Sequence, residues 1–130
     1  MIQETKIKRI KKGGIPVVVN GYDISIIRGD SESLTVRCYD AAGQPLPFVE
    51  DEIVYFTVKL RYTDTEYVLQ KVITEFDEGA AIIEISPEDT KGLYFSKDYY
   101  YDIQLTRADG SVTTIVPCSI FRLGVEITDD

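Results

Sequence analysis

Alternation of apolar and polar positions runs through most of this chain. In "SLTVRCYD", Leu34, Val36 and Cys38 fall on one face and Thr35, Arg37 and Tyr39 on the other, the period of a half-buried strand. "EIVYFTVKLRY" repeats it, with Val54, Phe56, Val58 and Leu60 inward and Tyr55, Thr57, Lys59 and Arg61 outward. "AAIIEIS" places Ala81, Ile83 and Ile85 on one side. In "SKDYYYDIQLTR", Tyr99, Tyr101, Ile103 and Leu105 share a core face, while Tyr100, Asp102 and Gln104 share the opposite one. The inward tyrosine hydroxyls are expected to reach backbone at the end of the sheet. "IPVVV", "DISII" and "YVLQKVI" read as further strands, the first an edge strand opened by Pro16. "SVTTIVPCSIFRLGVEIT" is long enough for two strand segments interrupted at Pro117.

Turn chemistry separates these runs. Asp40 and Gly43 mark one turn, "EFDEG" supplies a glycine suited to positive φ, and "ADG" marks another. "SPEDTKGL" is the one helical signal of the body: Ser86 suits an N-cap, Pro87 the first helical position, and Gly92 stops the helix after about a turn. Strands recurring every 8–12 residues predict an all-β fold of about 7–9 antiparallel strands, a β-sandwich or a barrel. The 130-residue length fits one domain.

Charge divides the chain into two parts. Residues 1–14 hold Lys6, Lys8, Arg9, Lys11 and Lys12 against Glu4. Five positive charges against one negative leave +4, so the net −8 of the whole chain puts −12 on the other 116 residues. The expected organisation is a flexible basic arm over 1–14 and a sandwich domain over 15–130. An acidic body repels phosphate backbones, so nucleic acid is not expected as its partner. The basic arm is compatible with a contact to DNA or RNA, but it reads better as a solvated tail or as a segment docking on an acidic neighbouring subunit. The longest apolar runs fall far below the ~20 residues of a spanning helix, and the N-terminus lacks the apolar stretch of a secretory signal. Synthesis and residence in the cytoplasm are therefore expected, with no membrane partner.

Candidate chemistry is sparse. There is no histidine, so no side chain titrates near neutrality without tuning. Cys38 and Cys118 are both expected as small buried hydrophobes in strands, and a disulfide between them needs Cα atoms within ~7 Å. Glu50, Asp51 and Glu52, and likewise Glu88 and Asp89, cluster in turns, where capping and solubility explain carboxylates better than a catalytic pair or a calcium site. Arg28-Gly29-Asp30 reads as a glycine turn between strands. No phosphate loop, nucleophile elbow or thiol–histidine pair is present. No enzyme activity, cofactor, metal or small-molecule substrate is expected.

The order of "RGDSESLTVRCYDAAGQPL", "VYFTVK", "VLQKVI", "AIIEISPEDTKGL" and "YYYDIQLTRADGSVTTIVPCSIF" resembles the N-terminal immunoglobulin-like domain of phage baseplate upper proteins and related prophage tail components. The likeness covers roughly residues 22–127. It implies an immunoglobulin-like fold and a non-enzymatic virion part, made in the bacterial host and built into a tail or baseplate. Its partners would be other phage structural subunits, with homo-oligomers included. The expected contact residues are Lys6, Lys8 and Arg9 on the arm and Tyr55, Lys59 and Arg61 on an exposed strand face. A competing reading is a ligand-binding module, carbohydrate-binding for example, using Tyr22, Tyr39, Tyr62, Tyr67 and Tyr94 as a stacking platform.

Overall fold

The computed structural model describes residues 3–9, 18–20, 22–40, 42–94, 97–125 and 127. Among the described residues, ten strands and one short helix follow in chain order. They are β1 (Gln3–Arg9), β2 (Val18–Asn20), β3 (Asp23–Ile27), β4 (Glu32–Asp40), β5 (Pro45–Leu46) and β6 (Ile53–Lys59). After them come β7 (Leu69–Ile73), β8 (Ala81–Ile85), α1 (Pro87–Lys91), β9 (Asp98–Thr106) and β10 (Val112–Gly124). The count exceeds expectation because β2 and β5 are only 3 and 2 residues long.

The strands form two packed sheets, an all-β sandwich. One is four-stranded: β4 pairs with β1 on one edge and with β5 and β8 on the other. The other runs β2-β3-β10-β9-β6-β7. One pairing departs from the expected antiparallel arrangement, since β3 and β10 run parallel, Ile24 opposite Phe121. That pairing places an early strand beside the last one.

The core forms where the alternation predicts. Leu34, Val36 and Ile83 from the four-stranded sheet meet Ile24, Val54, Phe56, Val58, Ile103, Phe121 and Leu123 from the other, all fully buried. Each such side chain contributes roughly 1.5–3 kcal/mol of burial free energy. Phe56 packs at 5.3 Å from the Tyr101 ring and 6.0 Å from Phe121. Tyr99 and Tyr101 are buried, and their hydroxyls do reach backbone. The Tyr99 hydroxyl accepts from the Tyr94 amide at 2.8 Å, and the Tyr101 hydroxyl donates to the Tyr22 carbonyl. Burial, with Asp23 and Tyr22 nearby, pushes the Tyr101 phenol far above its ordinary pKa.

Two expectations need correction. The first concerns the arm: Gln3–Arg9 is not free but pairs with β4 along its length, from Gln3 opposite Asp40 to Arg9 opposite Leu34. The reason is visible at Thr5, which is buried and donates a hydrogen bond to the Ile115 carbonyl at 2.7 Å, across to β10 of the second sheet. Residues 10–14 lie outside the described residues. The second concerns the cysteines, which are both free; Cys38 is buried but Cys118 is exposed. "SVTTIVPCSIF" forms one strand with register shifts between Thr114 and Val116 and between Val116 and Ser119. The shifts accommodate Pro117, which has no N–H for the ladder, and turn Cys118 to the surface.

Candidate functional site

The outward positions of β6 and β9 lie side by side on the outer face of the six-stranded sheet. Register sets Tyr55 opposite Gln104, Thr57 opposite Asp102 and Lys59 opposite Tyr100. On the far side of β6, Tyr55 faces Val72 of β7, whose side chain is 52% exposed. The loop after β6 folds back over this face. Lys59 Nζ donates to the Asp64 carbonyl at 2.8 Å, and the Tyr62 ring stands edge-on to Tyr100 at 5.7 Å. Together with the exposed Cys118 thiol these side chains bound a shallow groove of about 250 Å³.

Asp102 lines that groove and is half-buried. Burial pushes its carboxyl above the usual carboxylate range, opposed by the charge of Lys59. No hydrogen bond from the described residues reaches its carboxylate. Its neighbours keep unused capacity. Gln70 Nε2 donates to Thr57 Oγ1 at 3.1 Å, and Gln104 Nε2 to Thr114 Oγ1 at 3.4 Å.

The expected contact residues divide between the two sheets. Tyr55 and Lys59 share the outer face of β6, while Arg61 lies in the following loop, its amide bonded to Asp64 Oδ2 at 3.1 Å. Lys6 belongs to β1 at the edge of the four-stranded sheet, with Nζ 4.7 Å from the centre of the Tyr39 ring. Lys8 and Arg9 occupy the same strand, opposite Thr35 and Leu34. Lysines on an edge strand also block uncontrolled strand addition.

A second acidic feature emerges from two loops remote in sequence. Glu50, Asp51 and Glu52 follow β5; Glu75, Asp77 and Glu78 precede β8. The Phe48 and Phe76 rings pack at 5.2 Å and the Phe48 amide donates to the Gly79 carbonyl at 3.0 Å, which joins the loops into one corner. Its backbone is unusual: among the described residues, Asp51 and Glu78 are the two non-glycine residues at positive φ, 73° and 50°. Glu78 and Gly79, both at positive φ, form the tight turn between Asp77 and Ala80. The corner lies on the β5/β8 side of β4, opposite the basic strand β1. Among the described residues, no group of three metal-ligating side chains converges. Asp89 Oδ2 accepts from the Ser86 amide at 2.8 Å and bridges Lys71 Nζ at 2.8 Å, so it caps α1 and ties it to β7.

The Arg28-Gly29-Asp30 turn docks on α1: the Gly29 amide donates to Thr90 Oγ1 at 2.8 Å and Arg28 Nη1 to the Leu93 carbonyl at 3.0 Å. Gly29 has φ 89°, as a glycine turn requires. Of the five tyrosines considered for a platform, Tyr62 alone lines the groove. Tyr39 sits on the other sheet beneath Lys6, and Tyr94 follows α1 with Lys97 over its ring. Sequence reasoning missed Tyr100 and Asp102 as groove residues. Their alternation with buried neighbours was a signal for exposure, but not for the loop that covers them.

Comparison of the chain with protein-family models and with curated protein sequences yields no match. Among the described residues, no helix is long and apolar enough to cross a membrane.

Proposed function

We propose that the chain is a non-enzymatic structural module of a phage or prophage tail or baseplate, joined to neighbouring subunits through the edges of its four-stranded sheet. The observation that carries this reading is the polarity of that sheet. One edge is the basic strand β1 with Lys6, Lys8 and Arg9; the opposite edge ends in the acidic corner of Glu50, Asp51, Glu75, Asp77 and Glu78. Opposite charges on opposite edges favour a head-to-tail contact between copies, which closes into a ring when the rotation permits. The strained backbone at Asp51 and Glu78 lies at this corner as well, where strain is commonly retained for function.

Connectivity supports the immunoglobulin-like part of the reading. The first strand lies in one sheet, β3 runs parallel to the last strand in the other, and a tyrosine at the start of β9 bonds back to backbone five residues earlier. Residence in a virion follows from the same proposal.

Charge reversal on the two edges tests it. Lys6→Glu with Lys8→Glu, and separately Glu50→Lys with Asp77→Lys, should each abolish the assembly of the unmodified chain on a sizing column. An equimolar mixture of the two double variants should recover assembly with the two variants alternating, since the acidic corner of one meets the basic β1 of the other and the two reversed edges are complementary as well. Failure of either variant to change the elution of the chain would overturn the edge-to-edge contact.

A further inference from the structure

The groove on the six-stranded sheet is not used by an edge-to-edge assembly, and its chemistry points to a ligand. We propose that it binds a neutral saccharide, held between Lys59 and Asp102 and flanked by Tyr62 and Tyr100.

The polar groups supply donors and acceptors side by side. Lys59 spends one of its three protons on the Asp64 carbonyl, so two remain to donate. Thr57 accepts from Gln70 and keeps its own proton. Gln104 uses its amide nitrogen on Thr114 and keeps its carbonyl oxygen as an acceptor. Asp102 adds two acceptor oxygens that no described residue satisfies. A sugar hydroxyl is both donor and acceptor, and a pair of adjacent hydroxyls spans such a set. The Tyr62–Tyr100 pair stands edge to face, with Tyr62 71% exposed, which leaves aromatic surface for the C–H groups of a pyranose ring. The groove volume, about 250 Å³, accommodates one such ring.

Charge selects the class further. The groove holds one ammonium and one carboxylate in neighbouring registers, Lys59 opposite Tyr100 and Asp102 opposite Thr57. An anionic ligand meets Asp102 and a cationic one meets Lys59, whereas a neutral polyhydroxyl ligand meets neither penalty.

The test is a titration of the full chain, followed by amide NMR, with the methyl glycosides of glucose, galactose and N-acetylglucosamine and with methyl glucuronide. At least one neutral glycoside should give saturable shifts around Lys59, Tyr62, Tyr100 and Asp102, with Kd about 1 mM as expected for a ligand of this size. Tyr62→Ala and Asp102→Asn should each weaken that binding about tenfold or more while the remaining amide spectrum stays dispersed. Tyr62 lies in an exposed loop and Asp102 on an outer strand face, so both variants keep the core intact. Absence of saturable shifts with all three neutral glycosides would overturn the proposal. So would tighter binding of the glucuronide, or unchanged affinity in both variants. None of these outcomes bears on the sheet-edge contact.

Discussion

Thr5 and Ile115, 110 residues apart in sequence, are joined by a 2.7 Å hydrogen bond from the Thr5 hydroxyl to the Ile115 carbonyl. Thr5 is in the four-stranded sheet and Ile115 in the six-stranded one, so the bond ties the two layers. It also satisfies a carbonyl beside a register shift of β10. Thr5→Val keeps the shape and removes the donor. The variant should lose about 1–3 kcal/mol of stability, the cost of an unsatisfied buried carbonyl, read as a lower urea midpoint at unchanged slope. A midpoint equal to that of the unmodified chain would show that β1 is not held by this bond.

The turn at Asp77–Ala80 gives a pair of opposite expectations. Glu78 sits at φ 50°, where asparagine is tolerated better than glutamate. Glu78→Asn should therefore stabilise the fold by about 0.5–1 kcal/mol. Gly79, at φ 77°, has no room for a methyl group, because a Cβ there would lie 2.5 Å from Pro47 Cβ. Gly79→Ala should cost about 2 kcal/mol or more. Thermal unfolding of the two variants, run together, checks both signs.

Asp102 makes a pH-dependent prediction. Burial raises its folded pKa above the unfolded value, with Lys59 opposing. The folded state then binds the proton more tightly, and the charged form carries a penalty once pH rises above both values. That penalty is absent below the unfolded pKa, about 3.9. Asp102→Asn should thus raise the melting temperature at pH 7 and leave it nearly unchanged at about pH 3. An equal gain at both pH values would remove the ionised carboxylate as its cause. The expected pairing of higher stability with weaker glycoside binding is the usual trade-off at a ligand site.

Asp89 behaves in the opposite sense. Burial works against its charge, but the Lys71 and Ser86 hydrogen bonds and the Lys71 ammonium outweigh it and hold the carboxyl below its ordinary range. Its contribution is present above the unfolded pKa and is lost as pH falls through the folded one. Asp89→Ala should cost about 1 kcal/mol at pH 7, from the lost cap and a partly buried ion pair, and much less at about pH 2. Urea titrations at the two pH values provide the comparison.

Sequence pattern made much of the fold legible, and particular residues show where it stopped. β9 could be read because Tyr99, Tyr101, Ile103 and Leu105 alternate without interruption. α1 could be read because Ser86, Pro87 and Asp89 are local signals acting within one turn. β1 was hidden because its composition is that of a solvated tail, and only the non-local partners Cys38 and Ile115 of Thr5 explain its burial. Cys118 was misassigned because the register shifts around Pro117 change the phase of the alternation. The groove and the acidic corner were out of reach for one shared reason. Each is assembled by loops that fold back, Tyr62 onto Tyr100 and Phe76 onto Phe48, and periodicity carries no information about such contacts.

The most direct test of the central claim is the molar mass of the unmodified chain, measured by light scattering at about 50 mM and about 500 mM salt. Head-to-tail contact between a basic edge and an acidic corner should give a defined multiple of 14.7 kDa at low salt. That species should dissociate toward the monomer at high salt, where the charges are screened. A monomer at both salt concentrations would contradict it, and so would an oligomer whose mass does not respond to salt.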